Sequence, residues 1–88
     1  MQNFIDALSQ GIKGNLSNQG KRDVINQAKQ FLGQELKNTD FIRTAEGFKL
    51  TTDAAIQMYS ALQKVDSIQA SKLFEDLADR TFGSNAGM

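Results

Sequence analysis

The chain has 88 residues, ten Lys or Arg against ten Asp or Glu, and no histidine, cysteine, tryptophan or proline. Histidine and cysteine supply most neutral-pH bases, activated nucleophiles and transition-metal ligands, so their absence excludes Ser-His-Asp and Cys-His catalysis and His- or Cys-ligated zinc. Zero net charge argues against a general polyanion binder, and no apolar run approaches the ~20 residues of a membrane span.

This length suits one domain, here expected over 1–83 with a small polar tail at 84–88, and a radius of gyration of about 12 Å. Nothing requires an oxidising compartment. Met1-Gln2-Asn3-Phe4-Ile5-Asp6 lacks a basic region leading into a long apolar core, so no secretory signal is expected. The expected location is the cytoplasm, or a virion if the chain is phage-encoded. Charge divides mildly along the chain. Residues 1–49 hold seven bases and five acids, and residues 50–88 hold three bases and five acids.

The first predicted helix runs from Gln2 to Lys13, with Phe4, Ile5, Leu8 and Ile12 on one face and Gly14 able to end it in a left-handed conformation. Asn15 to Gly20 reads as a loop in which Ser17 or Asn18 caps the next helix. That second helix is expected from about Gly20 to Lys37. Val24, Ile25, Ala28, Phe31, Leu32 and Leu36 fall within roughly 140° of its wheel. Gly33 weakens it by about 1 kcal/mol relative to alanine, or breaks it in two.

Between about 41 and 51 the pattern favours a β-hairpin with Ala45-Glu46-Gly47 as a three-residue loop. That register sets Ile42 opposite Leu50 and Thr44 opposite Phe48. The alternative is a helical turn from Thr39 to Glu46 stopped by Gly47. Thr51 or Thr52 then caps a third helix reaching Val65. Its apolar residues cover about 220° of the wheel, as in a helix that is central to the fold or one that meets another molecule.

Asp66-Ser67-Ile68-Gln69 has the spacing of a capping box. It opens a fourth helix with Ala70, Leu73, Phe74, Leu77, Ala78 and Phe82 on one face, an Asp76–Arg80 ion pair four apart, and Gly83 as its stop. The fold class is therefore mainly α: a small four-helix domain with a β-hairpin between helices two and three.

No residue pattern supports catalysis or a cofactor. Glu75, Asp76 and Asp79 cluster on helix four opposite Leu73 and Leu77, the expected solvent side, where paired carboxylates are not tuned as acid and base. No calcium loop occurs, and Gly11-Ile12-Lys13-Gly14 is no phosphate-cradling motif.

Two binding surfaces can be read. One is nucleic-acid-binding. Helix two presents Asn26, Gln27, Gln30 and Gln34 flanked by Lys21, Arg22, Lys29 and Lys37, a set able to read adenine and hold phosphates. Arg43 and Lys49 on the hairpin extend it. In this setting Glu46-Gly47-Phe48-Lys49-Leu50-Thr51-Thr52 is similar to the strand-to-helix exit of winged helix-turn-helix proteins. The resemblance covers about a dozen residues and implies a sequence-specific DNA-binding regulator using helix 20–37. One helix precedes the candidate recognition helix here, where that family has two.

The other surface is a protein contact formed by Met58, Ala61 and Val65 on one flank of helix three with Ile68 of helix four, since Met and apolar residues are enriched where proteins meet. The leading expectation is a non-catalytic interaction domain: an adaptor, an assembly subunit or a small inhibitor. Its expected partner is another protein or a second copy of itself. Nucleic acid is the runner-up, and no membrane partner is expected.

Overall fold

The computed structural model describes residues 2–82, and the expected Gly83 stop and 84–88 tail lie outside them. The elements in order are α1 (Gln2–Lys13), α2 (Asn18–Leu32), a 3₁₀ turn (Asn38–Asp40), β1 (Phe41–Arg43), β2 (Phe48–Leu50), α3 (Thr52–Val65) and α4 (Ser67–Phe82). The domain is mainly helical, with a two-stranded antiparallel hairpin between the second and third helices.

Local chemistry fixes the helix starts. The Ser17 hydroxyl accepts from the Gly20 N–H at 2.9 Å, Thr51 from Ala54 at 3.2 Å, and the Asp66 carboxylate from Gln69 at 3.2 Å. Each satisfies an N–H that the helix itself leaves unpaired. Only half of the predicted capping box forms, because the Gln69 side chain does not fold back. Its amide donates instead to the side-chain Oε1 of Gln2 on α1 at 3.4 Å.

Helix two is shorter than its apolar stripe suggests. Gly33 takes φ 65° and ψ 21°, a left-handed conformation that stops the helix, and its N–H donates to the Lys29 carbonyl at 3.1 Å. The residues expected to continue the helix to Lys37 lie beyond it. Leu36 still reaches the core, but from non-helical chain. Gln34 accepts from the Gln57 amide of α3 at 3.0 Å, so it is not on a free face of α2.

The hairpin forms in a register one residue away from the expected one. Phe41 faces Leu50, Ile42 faces Lys49 and Arg43 faces Phe48. Thr44 and Gly47 bond to each other through both backbone groups (2.7 and 3.3 Å), so only Ala45 and Glu46 form the tip. Neighbouring strand residues alternate between faces, so this register buries Phe41 with Leu50 and leaves Ile42 outside. On its other edge β2 pairs with Leu16, through Leu16 N–H to Phe48 O at 3.1 Å and Phe48 N–H to Leu16 O at 2.8 Å. Gly47 makes this approach feasible. Its φ of 150° suits glycine, and a Cβ there would strike the Leu16 carbonyl.

One core of sixteen buried apolar side chains joins all four helices and the hairpin, with no polar side chain buried in it among the described residues. α1 packs against α2, α3, α4 and β2, and α3 likewise touches α1, α2, α4 and β2, so both helices lie centrally in the domain. Phe4 of α1 meets Phe31 of α2 with ring centroids 5.7 Å apart. The radius of gyration is 12.1 Å, as the chain length predicts.

Candidate functional site

The predicted protein contact changes in membership. Met58 is wholly buried, in the same core cluster as Ala54, Ala55 and Leu62, so it is a core residue and cannot serve as a docking side chain. The flank it was assigned to is the direction in which α3 faces the domain centre. Ala61 is half-buried. Val65 and Ile68 are exposed on either side of the Asp66 turn, Ile68 to 78%.

The larger apolar surface lies elsewhere. Phe74 and Phe82, expected on the core face of α4, are 50% and 71% exposed, and Ile56 of α3 is 49% exposed. Phe74, Ala78 and Phe82 succeed one another every four residues and so share one side of α4. The Tyr59 ring of α3 meets the Phe74 ring at 5.9 Å, which brings the two helices' outer apolar residues together along one seam. Ile56 lies three residues before Tyr59 on the same side of α3. Leu73 and Ala70 take the buried positions instead. The sequence signal for this stripe was present in the width of α4's apolar face, which is broader than one neighbour can cover.

The nucleic-acid candidates divide into a group on α2 and two outlying lysines. Arg22, Asn26, Lys29 and Gln30 are exposed along α2. The Lys21 ammonium sits 4.5 Å from the Phe48 ring centroid and the Arg43 guanidinium 5.5 Å from the same ring, so these two cations converge at the N-terminal end of α2. Lys37 is exposed beyond the end of α2, off the helix face predicted for it. Lys49 follows Phe48 along β2 and so points the opposite way, into a cleft with Lys13 and Arg80. The α2 residues and Arg43 thus lie near one another, while Lys37 and Lys49 fall outside that group.

That cleft holds about 500 Å³ between α1, β2 and α4, lined by Ile12, Lys13, Lys49, Asp76, Asp79 and Arg80. The predicted Asp76–Arg80 pair is not made. Asp76, expected on the solvent side, turns to α1, where its carboxylate accepts from the Ser9 hydroxyl at 2.6 Å and lies 3.9 Å from the Lys13 ammonium. Glu75 and Asp79 are exposed as expected. Burial lowers the Arg80 pKa from its ordinary value. Among the described residues no helix is long and apolar enough to cross a membrane.

Compared with protein-family models, curated proteins and solved structures, the chain finds no match.

Proposed function

We propose that this chain is a non-catalytic assembly domain that docks a second copy of itself through the α3–α4 seam. The observation carrying this reading is the stripe Phe74–Ala78–Phe82, with both aromatic side chains half or more exposed. The stripe is symmetric about its small central residue. If two α4 helices run antiparallel with the dyad at Ala78, Phe74 of each copy faces Phe82 of the other, and alanine leaves room for the rings. A two-fold contact requires such self-complementarity.

The apolar seam would form the core of such a contact, with flanking polar residues supplying the rest of its area. The exposed parts of Ile56, Tyr59, Phe74 and Phe82 amount to roughly 400 Å² of mostly apolar surface, about half of the ~800 Å² that each partner contributes to a standard interface. The Val65–Ile68 corner is a second, smaller apolar patch. Action in the cytoplasm, or inside a virion if the chain is phage-encoded, belongs to the same proposal.

Light scattering over a concentration series tests it. The expected result is a mass approaching twice the 9.7 kDa of one chain, returning to the monomer value in Phe74→Asp and Phe82→Asp with helical circular dichroism unchanged. A monomer at every concentration up to millimolar, or a dimer indifferent to both substitutions, overturns the second copy as occupant. In the first case, saturable DNA binding that weakens steeply with salt and is lost on Lys21→Ala and Arg22→Ala would select the nucleic-acid reading instead.

A further inference from the structure

The cleft between α1, β2 and α4 contains an unexplained cation. Arg80 and Asp76 stand four apart on α4, the spacing at which such residues ordinarily pair. Asp76 is already engaged by Ser9 and Lys13 of α1. No other ion pair within 4.0 Å forms among the described residues, so neither Arg80 nor Lys49 has a carboxylate partner among them at that distance. The Arg80 Nη1 nitrogen is buried and makes no hydrogen bond to a described residue. A buried donor left without an acceptor costs about 1–3 kcal/mol, more when charged, and such groups are few in folded proteins.

We propose that this cleft binds a singly charged oxyanion, a carboxylate or a phosphate group, held by Arg80 and Lys49. The side edge of the guanidinium, Nε with Nη2, has the spacing to match two oxygens of either group, Nη1 being enclosed. Lys49, carried on β2 across the cleft, adds a second donor and a second positive charge. With Lys13 the cleft has three cations against the carboxylates of Asp76 and Asp79, an excess of one positive charge that favours a monoanion over a dianion. Ile12 supplies an apolar wall for a short organic body attached to the anion. The volume of about 500 Å³ lies within the range of small-molecule sites. The attraction of an anion in the cleft offsets the desolvation that opposes the charge of Arg80. This site is independent of the proposed self-association.

The test is a backbone-amide NMR titration of the full chain with sodium acetate, butyrate and inorganic phosphate, against sodium chloride at equal ionic strength. Saturable shifts are expected at Lys49 and along Asp76–Arg80 with at least one oxyanion and not with chloride. Arg80→Gln and Lys49→Gln should each weaken that binding at least tenfold. Saturation by acetate or butyrate alone assigns a carboxylate ligand, and saturation by phosphate alone assigns a phosphate group. Absence of saturable shifts with all three anions overturns the proposal, as do equal shifts with chloride or undiminished binding in both variants. If Arg80→Gln loses its helical circular dichroism, Lys49→Gln decides the matter by itself.

Discussion

α1 and α4 have comparable amphipathic sequences but different surroundings. α1 buries all four of its large apolar residues, Phe4, Ile5, Leu8 and Ile12, because α2, α3, α4 and β2 surround it. α4 has α1 and α3 as its principal neighbours. Of its expected face only Ala70 and Leu73 are buried, while Leu77 and Ala78 are half-covered and Phe74 and Phe82 stand in solvent. A periodic apolar stripe reports which side chains can be removed from water together. It does not report whether the chain itself supplies enough neighbours. The residues left over at α4 are the ones that point to a partner.

The most direct way to break this contrast is to truncate equivalent positions. Leu8→Ala should destabilise the domain by about 2–5 kcal/mol in urea unfolding, since it removes a fully buried side chain. Phe74→Ala, although it deletes a larger side chain, should cost the monomer only about 1–2 kcal/mol, because half of the ring is already in solvent. If the two substitutions cost the same, the distinction between an enclosed and an open helix is false.

A second test concerns the junction that seats the hairpin beside α1. Gly47→Ala should cost about 1–3 kcal/mol, because the new Cβ meets the Leu16 carbonyl and φ 150° is unfavourable for any side chain. Hydrogen exchange should accelerate at the Leu16 and Phe48 amides before it changes in α1. Smaller still, Thr51→Ala should cost about 1 kcal/mol through loss of the α3 cap, while the exposed neighbour Thr52→Ala changes stability little. Equal effects at the two threonines would mean that the cap bond is not what starts α3.

Much of the architecture was legible from local chemistry. The α1 boundaries, the Ser17, Thr51 and Asp66 caps and the placement of a hairpin before α3 all follow from residues within a few positions of one another. Apart from the local stop of α2 at Gly33, the misreadings share a physical cause: each depended on a contact distant in sequence. Met58 looked like flank until α1 and α4 closed over α3. The hairpin slipped by one residue because burial of Phe41 against the helices outweighs the favoured three-residue loop. Asp76 left Arg80 for Ser9, 67 residues away. The candidate site was least legible for this reason. Its apolar stripe is defined by what fails to cover it, and its cleft by an ion pair that does not form.

The pairing of Leu16 with Phe48 has one more effect. With β1 on one side and Leu16 on the other, β2 presents no free strand edge at Phe48. β1 alone keeps an open margin, only three residues long and carrying the charge of Arg43. Short, charged margins are poor templates for adding a strand. The hairpin is thus shielded from runaway fibril growth, which directs any association of these molecules toward helical surfaces.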